Sequence, residues 1–329
     1  MSMHDKTEDA DDNPYFPTEI FEGFGARKTA FVKKAVQRGI QCDVVILSHI
    51  NLLLVGWLIK QFSPDTRIYL FAHGIEIWDT LKTTRKNMLS CVTGFLCVSN
   101  FTKQAIVARN GIDASQCFVV NNCIDPFLPL PQAQHKESRI MDQYGLGEEH
   151  IILFTLTRLS SKDRYKGYDK VFEALVLLKD EYPNIRYLLG GSYDAVEKVF
   201  VEKEIHRLGL TGFVIITGYL PEEDLAHYFT LADIYIMPSK KEGFGIVFIE
   251  AMFYGLPVIA GNVDGSVDAL LNGQLGLLVN PESVPEIKTA IEKMIQHPEA
   301  FIPDRKLLLD NFSYAAYKGR LEEGVRIKA

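Results

Sequence analysis

From residue 43 onward, short apolar runs alternate with longer stretches of helical period, the pattern of βαβ units built around a parallel sheet. In the first half, the runs at 43–48, 67–72, 94–99 and 118–122 predict strands, and a helix is predicted over 27–38 with no strand ahead of it. A second alternation predicts strands over 151–157, 185–190, 213–217, 233–238, 257–260 and 276–279, with helices over 168–180, 194–208, 222–232, 246–254 and 284–296. That second set is a full doubly wound domain. Residues 126–147 break the pattern with Pro126, Pro129 and Pro131 followed by a polar stretch, which predicts a linker. Phe312, Tyr314, Tyr317 and Leu321 at helical spacing predict one closing helix over 307–328. The expected domains are therefore 1–130, a linker at 131–148, 149–306, and a closing helix over 307–329 that packs back toward the first domain.

Length and composition sharpen this picture. The 329 residues exceed one ordinary core, so two are expected. The 47% hydrophobic and 23% charged content is that of a globular chain. A net charge of −7 excludes nucleic-acid binding through overall charge, so an anionic ligand must be held by local cations. The five cysteines, Cys42, Cys91, Cys97, Cys117 and Cys123, are odd in number and lack C-x-x-C spacing, which predicts buried free thiols in a reducing compartment. Residues 1–12 are acidic and polar, unlike a secretory leader. The apolar stretch 44–59 is interrupted by His49 and Asn51 and is short of the roughly 20 residues of a membrane span, so a strand followed by a packed helix is expected. Both readings point to the cytosol.

Open α/β sheets bind ligands at the carboxyl ends of their strands, so the loops that follow the strands of the second domain are the candidate site. After the first strand comes Arg158-Leu-Ser-Ser-Lys-Asp-Arg-Tyr-Lys166-Gly167, a basic loop that opens into a helix and suits a diphosphate. A solvated surface loop would read the same way in isolation. After the second strand, Gly190 and Gly191 let backbone approach a ligand, although a plain turn has the same signature. After the fourth strand, Glu242 and Gly243–Gly245 lead into a helix carrying Glu250 among Val247, Phe248, Ile249, Ala251 and Met252. A carboxylate in such surroundings is costly without a partner, and ribose hydroxyls would supply one. Glu242 alone is also explained as a helix-start carboxylate.

Here the sequence resembles a known family. Glu242-Gly-Phe-Gly-Ile-Val-Phe-Ile-Glu250 is similar to the E-x7-E element of the group 1 (family four) retaining glycosyltransferases, whose GT-B fold has two facing Rossmann-like domains. The Arg158 to Lys166 loop resembles that family's diphosphate-binding pair, and Ala232-Asp233-Ile-Tyr-Ile-Met-Pro238-Ser239 and Ala251-Met-Phe-Tyr-Gly255-Leu-Pro257-Val258 follow the same pattern. In the first half, His73-Gly74-Ile-Glu-Ile-Trp78, Cys97-Val98-Ser99-Asn-Phe-Thr102 and Val119-Val-Asn-Asn122-Cys-Ile-Asp125 resemble its acceptor domain.

The resemblance implies that His73, Arg158, Lys166 and Glu242 form the catalytic set, with Arg158 and Lys166 on the donor diphosphate and His73 reaching the sugar from the first domain. It implies donor binding by Gly190, Gly191, Tyr219, Leu220, Gly243, Phe244, Gly245 and Glu250, with Glu250 on the ribose. The expected activity is retaining transfer from a UDP- or GDP-sugar to a hydroxyl of a saccharide or lipid-linked acceptor, in polysaccharide biosynthesis, with peripheral contact at the inner membrane face compatible with it. No cluster has metal-ligand spacing, so neither a metal nor a cofactor is expected. An NAD-type oxidoreductase is disfavoured because Gly23-Phe-Gly25 follows no strand and Gly243-Phe-Gly245 lacks a third glycine. The family's acceptor domain opens with a strand and a glycine-rich loop that find no counterpart ahead of residue 15, so the first domain is expected to be incomplete. The alternative reading is a remnant that binds nucleotide sugar and turns it over weakly or not at all.

Overall fold

The computed structural model describes residues 1–11, 13–130 and 137–326. The chain divides into two compact units, Met1–Val120 together with the chain from Arg320, and Asn121–Gly319.

The first unit holds a parallel sheet of strands β1 (Val44–Leu47), β2 (Arg67–Ala72), β3 (Gly94–Cys97) and β4 (Cys117–Val119), in the order β1-β2-β3-β4. Right-handed crossovers that always step the same way place their helices on one face. The core follows that rule, since Ile68, Leu70, Ala72, Phe95 and Cys97 pack with Leu53, Val55, Ile59, Leu89 and Ile106 from the connecting segments. The opposite face presents Tyr69, Leu96 and Phe118, and the last helix covers it. A Cβ on Gly324 would sit 3.2 Å from Phe118 and 3.4 Å from Leu96, and the Tyr69 hydroxyl donates to the Val325 carbonyl at 2.9 Å. β1 is an edge strand, and Ile46 on it is 43% exposed.

The second unit has six parallel strands, β5 (Ile151–Leu156), β6 (Ile185–Gly190), β7 (Val214–Gly218), β8 (Ile234–Met237), β9 (Val258–Gly261) and β10 (Leu277–Val279). Their order is β10-β9-β8-β5-β6-β7. The chain steps outward from β5 to β7, then crosses back to β8 and steps outward the other way. The order reverses between β5 and β8, which pair directly at Leu153–Ile234 and Phe154–Tyr235. A crevice opens at such a reversal beyond the carboxyl ends of the two strands.

Three expectations need correction. Ser138–Tyr144 is a helix within the expected linker, anchored by buried Ile140 and Met141 and ended by Gly145 in the left-handed region; residues 131–136 of that linker lie outside the described residues. The closing segment is two helices, Arg305–Phe312 and Tyr314–Arg326, because Ser313 adopts an extended conformation and its hydroxyl accepts from Ala316 N–H at 3.3 Å. Finally, Cys91, Cys97 and Cys117 are buried, whereas Cys42 is exposed at the entry to β1 and Cys123 is half-buried. Among the described residues no helix is long and apolar enough to cross a membrane.

Candidate active site

The loops after β5 and β8 flank the strand-order reversal, and each ends in a glycine with positive φ that starts a helix. Gly167 (φ 81°) precedes Tyr168–Leu178, and Gly245 (φ 85°) precedes Ile246–Phe253. Neither helix has a side-chain cap at its N-terminus. Helices Ala195–Arg207 and Val284–Gln296, by contrast, are capped by Asp194 and Ser283. Two uncapped N-termini at one crevice leave backbone N–H groups available to an anion or to hydroxyl oxygens.

Between these two helix starts, Lys166 Nζ donates to Glu242 Oε1, with both side chains largely buried. Residues 76 positions apart thus meet where the sequence placed a diphosphate cation and a sugar-facing carboxylate. The main chain of Glu242 is fixed from both sides. Its N–H donates to Asp264 Oδ2 at 2.6 Å, and its carbonyl accepts from Gly265 N–H at 2.8 Å. Asp264 is 1% exposed and also accepts from Ser266 N–H at 2.9 Å; burial, partly offset by these N–H groups, lifts its pKa to about 6. Gly265 must be glycine here, since a Cβ would lie 2.0 Å from the Gly243 carbonyl oxygen.

Arg158 is 71% exposed and tethered through Nε to buried Asp163 at 2.8 Å. Arg164 takes no part in that face. Its Nε donates to Glu197 at 2.9 Å and its guanidinium lies over Phe200.

After β6, Gly191 has φ 129°, and a Cβ on it would lie 1.8 Å from the Thr157 carbonyl oxygen. Strand ends β5 and β6 therefore approach backbone to backbone. Gly191→Ala is expected to cost at least about 2 kcal/mol through strain and displaced backbone, read as a lowered urea midpoint. Gly319→Ala, whose Cβ would meet nothing within 4 Å, is the control expected to be near neutral. A Cβ on Gly190 would lie 2.9 Å from Leu220. Leu220 is buried, while the neighbouring Tyr219 is 74% exposed.

Glu250 lies on Ile246–Phe253 and is partly buried. Burial, with the charges of Asp125 and Glu222 adding to it, raises its pKa to about 7. Among the described residues no cation pairs with it. Phe244 is 2% exposed and packs edge-on against Phe312 at 5.5 Å, so only its main chain is available to a ligand. His73 belongs to the other unit. It is exposed at the end of β2, where Nε2–H donates to the Ser48 carbonyl at 2.8 Å and the ring stacks on Phe71.

Sequence reasoning missed Asp163, Glu197 and Asp264. Each is a buried carboxylate; Asp163 lies in a polar loop, and the valines beside Glu197 and Asp264, Val196 and Val263, are too few to mark burial. The Asp264-Gly265 pair after a strand was the available signal for the third.

The family Glycosyl transferases group 1 matches residues 136–318, and Glycosyltransferase Family 4 matches residues 6–127. The chain is similar to the GDP-mannose-dependent alpha-(1-6)-phosphatidylinositol monomannoside mannosyltransferase of Mycolicibacterium smegmatis, at 28% identity over 291 residues, 83% of this chain and 73% of that protein. It is also similar to the Mycobacterium tuberculosis protein of the same description, at 28% identity over 71% of this chain and 62% of that protein. Among solved structures, Anabaena Alr3699/HepE in complex with UDP superposes with a TM-score of 0.78 at 21% identity, covering 90% of this chain and 82% of that one. That likeness makes the fold α/β of the GT-B type.

Proposed function

The chain belongs to the group 1 glycosyl transferases, and we propose that it moves a hexose from a UDP- or GDP-sugar to a hydroxyl of a saccharide or lipid-linked acceptor, with retention and without a metal. One observation carries the reading: the Lys166–Glu242 pair sits between two uncapped helix N-termini at the strand-order reversal. The first similar relative is described as GDP-mannose-dependent, and the superposed structure holds UDP.

In this reading Arg158 and Lys166 hold the diphosphate, Glu250 the ribose, and Glu242 with the main chain of Gly243–Gly245 the sugar hydroxyls. The backbones of Gly190, Gly191 and Leu220, with Tyr219, close the nucleotide side. The bond from the anomeric carbon to the phosphate oxygen breaks, and its electron pair leaves on the diphosphate. The acceptor hydroxyl adds from the same face and gives its proton to the departing phosphate oxygen. Fixed cations stabilise the charge that develops there.

The test is a transfer assay with UDP- and GDP-hexoses in the presence and absence of EDTA, with the product anomer read by NMR. Turnover that survives EDTA and keeps the donor's anomeric configuration is expected. An inverted product overturns retention, and loss of turnover with EDTA, restored by added metal, overturns metal independence.

A further inference from the structure

The loop between Arg158 and Lys166 carries four cations, Arg158, Lys162, Arg164 and Lys166, and one of them turns away from the crevice. Arg164 Nε lies 3.1 and 2.9 Å from the two carboxylate oxygens of Glu197, and its guanidinium carbon is 3.7 Å from the centre of the Phe200 ring. Glu197 is 0% exposed, on the first turn of Ala195–Arg207. Its Oε1 also accepts the hydroxyl of Tyr168, the first residue of the helix that starts beside Lys166. One buried carboxylate therefore grips both the middle of the loop and the uncapped helix N-terminus that ends it.

The same segment of chain holds the loop at further points. Leu159 N–H donates to the Ser192 carbonyl at 2.8 Å, and Asp194 N–H returns a bond to the Leu159 carbonyl at 3.1 Å. Asp194 Oδ2 accepts from Ser161 N–H at 2.9 Å and from its hydroxyl at 3.2 Å. On the far side, Lys240 N–H donates to the Tyr165 carbonyl at 2.9 Å.

We propose that Glu197 is a positioning residue for donor binding, holding the loop through Arg164 and Tyr168 so that Arg158 and Lys166 present their charges to the diphosphate; this rests on the reading of the site given above. A buried ion pair is a weak source of stability, because well-packed apolar residues often do as well. What an apolar replacement would lack is direction. Arg164 is spent on Glu197, so it neither swings into the crevice nor lets the loop slide past the cations on either side of it.

The experiment compares Glu197→Gln, Arg164→Gln, Tyr168→Phe and the Glu197→Gln/Arg164→Gln double variant with the wild type. Each is titrated calorimetrically with UDP and with GDP, and assayed for sugar transfer, at a temperature where circular dichroism shows the variant folded. Arg158→Ala and Lys166→Ala are run beside them. Glu197→Gln and Arg164→Gln are each expected to raise Kd about tenfold and to lower kcat as well, with the double variant no worse than the weaker single, since both act through one contact. Arg164→Lys, which keeps the charge, is expected to restore part of the loss. Lowered melting temperatures with wild-type Kd and kcat overturn the proposal and leave Glu197 a packing residue. If Glu197→Gln does not fold, Arg164→Gln and Tyr168→Phe decide the matter by the same readings. Wild-type binding by Arg158→Ala and Lys166→Ala as well would mean that the site reading itself has failed.

Discussion

Glu242→Gln is expected to bind free UDP or GDP at least as tightly as the wild type while losing sugar transfer, and Lys166→Ala is expected to lose the diphosphate itself. Lys166 Nζ donates to Glu242 Oε1, with both side chains largely buried. A diphosphate must compete with that carboxylate for the lysine. Replacing Glu242 by the neutral amide removes the competitor and leaves the lysine charged. Free nucleotide, which has no sugar to engage position 242, then gains or is unchanged. Transfer falls on the order of a hundredfold, the scale for losing one polar contact aimed at the reacting group. Lys166→Ala removes a charge-assisted contact to phosphate, about 1.5–3 kcal/mol, and leaves a largely buried carboxylate with no counter-charge beside the ligand. Calorimetry and turnover on the same preparations separate the two. A Glu242→Gln variant that loses nucleotide affinity as far as Lys166→Ala does would make Glu242 a holder of the lysine and not a sugar contact.

That pairing was legible only in part. The strand ends were readable because β5, β6, β8 and β9 are nearly unbroken apolar runs bounded by turn residues, as buried parallel strands must be. Lys166 and Glu242 were therefore assigned to carboxyl-end loops. Their contact depends on β5 lying next to β8, which is a matter of crossover order and leaves no trace in local pattern. The helix Ser138–Tyr144 went unread because its seven residues bury just Ile140 and Met141, too few to show a period. The break at Ser313 was hidden for the opposite reason: Phe312, Tyr314 and Tyr317 keep helical spacing across a residue whose backbone is extended. The basic loop was read for Arg158 and Lys166 alone; that Arg164 between them is held by buried Glu197 depends on a residue 33 positions away, which the loop's composition does not show. Buried carboxylates such as Glu197 and Asp264 read as surface charges until the fold places them.

Nucleotide-sugar affinity is expected to strengthen as pH rises toward 7 and to level off above it, and Glu250→Gln is expected to abolish that dependence. Burial, with the charges of Asp125 and Glu222 in support, holds the Glu250 pKa up at about 7, so the free protein carries it protonated in mildly acidic solution. A ribose offers hydroxyl donors, which favour the carboxylate. Binding then has to release a proton below pH 7, and the apparent Kd rises about tenfold for each unit of pH below that value. A nucleotide-diphosphate sugar is the right probe. It lacks the phosphate monoester of free UDP or GDP, which titrates in the same range, with a second pKa near 6 for phosphate monoesters. Asp264 also titrates low in this window, at about 6, so the difference between wild type and Glu250→Gln is the quantity to read. Stability moves in the opposite sense. The folded pKa lies above the unfolded value, so the folded state binds more protons between about pH 4.5 and 7 and loses stability as pH rises through that window. The unliganded Glu250→Gln variant is therefore expected to be more stable than the wild type above pH 7, by about 3 kcal/mol. Calorimetry in two buffers of different ionisation enthalpy counts the released proton directly. Binding of a UDP- or GDP-hexose that is flat from pH 5.5 to 8 in the wild type, with no proton released, would remove Glu250 from the donor site and leave its raised pKa a consequence of packing alone.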